Sequence, residues 1–420
     1  MPALTVLRIR DFRVLWATRF IHEVSRRMEL LVLGYLILKL TDSVFQVGLI
    51  AVFLNAPRPV LAMFAGTIAD RLDRRRVMIG AHACYLGIAS VLLVLLIIGS
   101  VQPWHIYLAI LLQGTARVLD DPCRRTALFD VTGESRIATA MSLEAMGNDG
   151  GKILGPLTGG ILITAVGFAG AYAVLTGLDV LSLLMMVQLR LPHHPRTTRL
   201  ARSVWFSLWE GFRHSLTNRM VLGVLCMALI LNALVYPMQY FIPVIASDLL
   251  KVGPTLGGLL GSAEGVGTFI GASIIATRRN IRHHGRIYVV GTVIAAVAVM
   301  LVGWSRWFPI SFALLVAAGM AAAFCSTMQS TILLLASTPE LRGRAVGSQG
   351  MVNGIGHLVG TSEIGAIAKA FDIGVAISIN AAAALLFLIP VVILTPLVRR
   401  QVGGGPESGE PLSRRHTPVT

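Results

Sequence analysis

The sequence predicts an all-α membrane protein, with twelve transmembrane helices in two pseudo-symmetric six-helix halves. Three observations carry this. First, 55% of the 420 residues are hydrophobic and only 14% are charged, against about 25% charged in soluble domains. At roughly 20 apolar residues per spanning helix, a chain of this length with short loops holds about a dozen spans. Second, basic and neutral loops alternate. The loops at 70–76, 122–136, 191–218, 278–285 and 336–344 are rich in arginine, whereas the others hold little positive charge beyond Lys251, Arg306 and Lys369. The basic side is expected to be cytoplasmic, with both termini inside. Third, Asn148-x-x-Gly151-x-x-x-Gly155 recurs as Asn353-x-x-Gly356-x-x-x-Gly360, an offset of 205 (353 minus 148). The same offset places Gly66 on Gly271, Ala140 on Ala345 and Met146 on Met351. Several matches at one offset, inside spans of matching order, indicate duplicated halves. The net charge of +15 does not indicate a nucleic-acid partner, because the arginines lie between apolar spans and not on one soluble face.

The first span, 14–39, carries Arg19, His22, Glu23, Arg26, Arg27 and Glu29. One charge at mid-bilayer costs roughly 2.5–3.5 kcal/mol on insertion scales, so six polar groups facing lipid would prevent insertion. At about 100° per residue, positions 19, 22, 23 and 26 share one face, with 27 and 29 at its margins. They can point inward together. The spacing allows Arg19–Glu23, Glu23–Arg26, Glu23–Arg27 and Arg26–Glu29 ion pairs. The expected role is a polar cavity wall, and the alternative is a self-neutralised structural network. His22 and Glu23 are the preferred protonatable groups, since imidazole titrates near neutrality and desolvation favours a neutral carboxyl.

The span 46–69 runs into a polar hairpin, Gly66 to Arg76, that cannot lie in hydrocarbon. Spans 77–99 and 104–121 follow. Span 137–165 contains Gly151-Lys-Ile-Leu-Gly155-Pro156-Leu-Thr-Gly159-Gly160. Glycines four apart make a smooth stripe on which another helix can pack closely, and Pro156 permits a bend. Asp149 and Lys152, three apart, are expected to pair. Span 170–190, which carries Asp179, completes a first half of residues 1–190. A polar linker, 191–218, contains Trp205 and Trp209 and reads as partly interfacial.

The second half, 219–398, repeats the plan with spans 219–245, 253–277, 286–304, 307–335, 345–369 and 373–398. In the first of these, Asn232, Tyr236 and Gln239 share a face beside Pro237. Glu264 stands in the next with no charged neighbour within a turn, which marks an intramembrane acid as a functional candidate. Gly257-Gly258-x-x-Gly261 lies inside that span and reads as a packing stripe. His357 takes the repeat position of Lys152. Residues 399–420 lack apolar periodicity and read as a disordered cytoplasmic tail. The four cysteines share no metal or redox spacing, and neither a Walker loop nor HExxH occurs. No metal, no cofactor and no enzymatic activity are expected.

G-x-x-x-D-R-x-x-R-R from Gly66 to Arg75 resembles the loop 2–3 signature of the major facilitator superfamily of secondary transporters. G-x-x-x-G-P-x-x-G-G from Gly151 to Gly160 resembles that superfamily's helix-5 antiporter motif, associated with exporters. Asp121-Pro122-x-Arg124 and Glu340-Leu-Arg342-Gly343-Arg344 add to the likeness. The resemblance is to the multidrug, macrolide and siderophore exporter branch. It implies a conformational latch at Gly66, Asp70, Arg71, Arg74 and Arg75. It also implies a cavity walled by helices 1, 4, 7 and 10, to which Arg19, His22, Glu23, Arg26, Glu29, Tyr236, Gln239, Glu264 and His357 would contribute. Two positions depart from the pattern: Asp73 replaces the loop's usual second glycine, and Ile110 replaces an arginine of many proton antiporters. The expected function is proton-coupled export of drug-like or secondary-metabolite small molecules by alternating access. A monomer in the cytoplasmic membrane is expected, with substrate, protons and lipid as partners. An importer of a nutrient or siderophore on the same fold is the alternative, and a non-transporting receptor a remoter one.

Overall fold

The computed structural model describes residues 2–58, 61, 73–191, 218–277, 283–337 and 342–398, and the absences noted below concern these residues. They are helical nearly throughout, and no strand occurs among them. A short α1 (Pro2–Leu7) leads into α2 (Arg10–Thr41) and α3 (Val44–Asn55). Then come α4 (Arg74–Ile98), α5 (Pro103–Thr132) and α6 (Ile137–Val187). The second half contains α7 (Arg219–Leu249), α8 (Pro254–Thr277), α9 (His284–Trp304), α10 (Phe308–Ala336), α11 (Arg342–Ala370) and α12 (Ile373–Leu394).

The 51 residues of α6 are two spans, not one. Gly167, at φ 73 and ψ −176, breaks the helix in a region open to glycine and strained for other residues. Gly155 and Asp179 both touch the same stretch of α2, near residues 24–28. They lie too far apart along one straight helix to do so, so the two arms run back to back. With both arms counted, α2 to α12 supply the twelve spans.

Seven stretches among the described residues qualify as membrane-crossing by length and apolarity: α4, α6, α7, α8, α9, α10 and α12. Polar groups keep α2, α5 and α11 below that threshold. The surface fits lipid. Val91, Ile97, Val166, Leu184, Leu386 and Ile393 all face outward, as apolar side chains do around a spanning bundle. Trp104, Trp304 and Trp307 are exposed at helix ends on one side, the placement of an interfacial aromatic belt.

One boundary is corrected. The segment from Pro122 to Thr132, expected in a loop, continues α5 with Pro122 inside it. The first of its two arginines is not solvated: Arg124 is buried, donates to the Leu15 carbonyl at 2.9 Å and pairs with Asp120 at 3.7 Å, whereas Arg125 is exposed. A charge satisfied by a neighbouring helix can stay in the packed interior, so loop-like composition here did not mean loop structure.

Glycines set the close approaches. A Cβ on Gly151 would lie 2.6 Å from Glu23 Cβ, and one on Gly159 3.2 Å from Met28 Cγ, so the stripe of α6 seats α2. The second half repeats this, with Gly356 and Gly360 of α11 against Asn232, Ala233 and Pro237 of α7. Across the halves, Gly160 and Gly258 face each other, and a Cβ on either would sit 2.9 Å from the other's Cα. Gly34 against Pro243, and Gly48 against Phe241 and the Thr361 carbonyl, join the halves as well. These crossings lie between mid-bundle and the end that carries the α2–α3, α7–α8 and α11–α12 connections. That end is the one away from α1.

Candidate functional site

The polar face of α2 meets α5. Glu23 is fully buried and pairs with Arg19 at 3.2 Å, with Arg26 (Nε at 3.1 Å) and with Arg117 at 3.9 Å. Asp121 receives Arg19 at 3.4 Å, Arg117 at 3.6 Å and Arg58 at 3.8 Å. Two carboxylates thus sit among four guanidinium groups, so each carboxylate charge has cationic partners and positive charge is in excess. Of the four ion pairs that the spacing allows, Arg19–Glu23 and Glu23–Arg26 form. Glu23–Arg27 and Arg26–Glu29 do not, because Arg27 turns towards the other half and Glu29 towards α6.

One turn further along α2 the chemistry changes. Glu29 Oε1 accepts from the Tyr172 hydroxyl at 2.6 Å and from Gln113 Nε2 at 2.8 Å. Asp179 Oδ1 accepts from the Ser25 hydroxyl at 2.9 Å. Both acids, with His22, Arg26, Gln113 and Arg117, line a small cavity inside the first half. His22 stacks on Tyr85 with ring centroids 4.5 Å apart and lies 5.3 Å from His82.

A second cleft opens where the halves meet. Arg27, Leu30, Leu31, Ile50, Lys152 and Pro156 form its wall in the first half. The second half contributes Met238, Gln239, Tyr240, Ile242, Pro243, Glu264 and Leu315, among others. Arg27 Nη1 donates across the cleft to Gln239 Oε1 at 3.3 Å. Lys152 pairs with Asp149 at 3.1 Å. The cleft measures about 60 Å³, room for a few waters. Its far wall is irregular backbone. Within α7, a π turn at Leu231–Val235 is followed by a 3₁₀ turn at Tyr236–Phe241, around Pro237. Non-helical backbone at membrane depth is tolerated where it lines a cavity or is buried in protein.

The predicted residues therefore divide. Gln239 and Glu264 reach the central cleft, while His22, Arg26 and Glu29 line the smaller cavity. Arg19 and Glu23 belong to the ion-pair network between α2 and α5. Tyr236 and His357 line neither space; His357 sets its ring edge-to-face against Tyr240, at 6.1 Å. Arg27, read with the other charges of its span as part of a polar cavity wall, reaches the central cleft; sequence reasoning did not nominate Lys152 or Tyr240 for it, nor Gln113, Arg117, Asp121 and Asp179 for the polar wall. A signal existed for α5: Arg117, Asp121 and Arg124 recur three and four residues apart, as the charges of α2 do. Of the latch residues, Gly66, Asp70 and Arg71 lie outside the described residues. Arg74 pairs with Asp130, and Arg75 donates to the carbonyls of Leu189 and Val187 at 2.6 and 2.7 Å, all within the first half.

The comparisons agree with this geometry. The family described as transmembrane secretion effector matches residues 1–403. Enterobactin exporter EntS of Escherichia coli O1:K1 / APEC is 26% identical over 364 residues, 85% of each chain. Its counterpart from Salmonella choleraesuis (strain SC-B67) is 25% identical over the same length. Among solved structures, nucleoside transporter NupG aligns at TM-score 0.72 and 16% identity, over 93% of this chain and 100% of that one. A bacterial homologue of the human lysosomal transporter Spinster, in an inward-facing and unoccupied conformation, aligns at TM-score 0.71 and 14% identity. That alignment covers 93% of this chain and 96% of the other. The fold, the charged cavity and the family match together place this chain in the transmembrane secretion effector family of the major facilitator superfamily, as a membrane transporter and not an enzyme.

Proposed function

We propose that the protein is a proton-coupled exporter of siderophore-like or related secondary-metabolite small molecules. Residues 1–190 and 219–398 act as the two halves that rock about the central cleft, joined by the linker 191–218. The observation that carries this reading is the cleft itself. It lies at the junction of the halves, where parallel-repeat transporters bind substrate, and its lining includes the polar groups Arg27, Lys152, Gln239, Tyr240 and Glu264, with Lys152 paired to Asp149. That lining favours polar substrates, with Arg27 as the group that would meet an anionic part. The enterobactin exporters among the relatives support the direction and the substrate class. The alternating basic loops support cytoplasmic termini. The end closed by the glycine crossings is then the outer one, and the conformation faces inward. The latch at Gly66, Asp70, Arg71, Arg74 and Arg75 would engage only when the inner end closes.

The test is flux in everted membrane vesicles with an imposed pH gradient, enterobactin serving as the probe. Export appears as gradient-driven accumulation inside the vesicles. Arg27→Ala is expected to reduce initial uptake at least tenfold, since a charge-assisted contact contributes about 1.5–3 kcal/mol. Gradient-driven movement out of the everted vesicles would overturn the direction.

A further inference from the structure

We propose that the proton-exchanging site is the carboxyl pair Glu29 and Asp179, around the small cavity of the first half, with Arg26 as the group that responds to its charge. The proposal rests on the proton-coupled reading above and assigns it to residues. Glu23 and Asp121 are each surrounded by three arginines. Protonating either would leave buried guanidinium charge unmatched, which is costly. Glu29 and Asp179 differ in kind. Neither makes an ion pair among the described residues, and each is held by neutral donors: Tyr172 and Gln113 for Glu29, Ser25 for Asp179. A carboxyl so held can exchange its proton without breaking a salt bridge.

Access and response are both present. The cavity measures about 20 Å³, room for one water, and a water is what a proton needs to reach a buried acid. Charged and titratable groups face it from several helices: His22 and Arg26 from α2, Tyr85 from α4, and Arg117 from α5. Tyr172 of α6 adds its hydroxyl to Glu29, and α3 contributes only Leu54. Arg26 stands three residues after Glu23 and three before Glu29, so both lie within its reach on one helix face. In this structure it holds Glu23. Uptake converts hydronium and a carboxylate into water and a carboxylic acid, and leaves Arg26 on Glu23. Release returns the proton to water and creates negative charge that draws Arg26 towards Glu29, loosening the wall beside Arg27 of the central cleft.

Infrared difference spectroscopy of the full chain in lipid nanodiscs, titrated by pH alone, reads the carbonyl stretch of protonated carboxyl groups. The wild type should show an acid band that titrates, and Glu29→Gln and Asp179→Asn should each remove a large share of it, while Glu23→Gln leaves it. No titrating band in the wild type, or an unchanged band in both variants, overturns the proposal. Ser25→Ala keeps both acids and deletes only one donor, so it serves if the acid variants do not fold. Its band midpoint must move, and an unmoved midpoint counts against the site. Enterobactin uptake by everted vesicles separates the two readings. A wild type indifferent to the pH gradient overturns proton coupling itself. A gradient-dependent wild type with equally gradient-dependent Glu29→Gln and Asp179→Asn overturns only the assignment to these acids.

Discussion

At the residue scale, two acids six residues apart on α2 (29 minus 23) live in opposite surroundings. Glu23 is encased by arginines, whereas Glu29 is held by a phenol and an amide. Their substitutions should therefore differ in kind. Glu23→Gln leaves Arg26 without its carboxylate and Arg19 and Arg117 with Asp121 alone, and breaking such a buried pair costs about 3–5 kcal/mol. Thermal denaturation in detergent should show a marked loss of stability for Glu23→Gln and a much smaller one for Glu29→Gln, since glutamine can still accept from Tyr172. Equal losses would mean that the arginines are satisfied by other groups. The sequence showed that the charges of α2 share a face, but not which acid each arginine would choose. That choice depends on Arg117 and Asp121 of α5 and on Tyr172 and Asp179 of α6, which lie 88 (117 minus 29) to 150 (179 minus 29) positions beyond Glu29 in the chain.

At the element scale, the glycine stripe of α6 was legible, because a four-residue glycine spacing has one physical meaning in a membrane helix. Its target was not, since nothing in the spacing names α2 as the helix it seats. The length of α5 was misread for a related reason: arginines after Pro122 look solvated until Leu15 and Asp120 are seen to hold Arg124. The irregular backbone of α7 was hinted at by Pro237 alone. The stripe gives a graded prediction. Gly155→Ala would set a Cβ 2.7 Å from the Val24 carbonyl oxygen, and overpacking of this kind costs about 1–3 kcal/mol. Gly80→Ala, with nothing within 4 Å of the new Cβ, should be neutral or slightly stabilising. Melting temperatures of the two purified variants would check the contrast, and equal values would contradict the packing described.

At the scale of the whole molecule, the 205-residue repeat was the most reliable guide. Gly151 and Gly356, matched by that offset, perform the same task in their own halves, the one against α2 and the other against α7. The repeat did not reveal that, among the described residues, the dense charge network lies in the first half, because side-chain chemistry had diverged where the backbone plan had not. The orientation proposed above makes a further prediction. In a variant lacking the four native cysteines, Gln239→Cys should react with a membrane-impermeant maleimide in everted vesicles and be protected in right-side-out ones. The reverse pattern would turn the molecule over in the membrane, or place the open end outside.

The meeting of Gly160 with Gly258 has a mechanical consequence. Most interfaces lock because side chains mesh, and unlocking them means lifting every tooth at once. Here the two halves touch through bare backbone, with no teeth at that point, so they form a plain bearing on which one body can roll over the other. Leucine at position 258 would act as a wedge in that bearing. It should hold the outer end ajar, and because the position lies away from both carboxyl sites, it should stall the cycle while leaving the acid band of Glu29 and Asp179 in place.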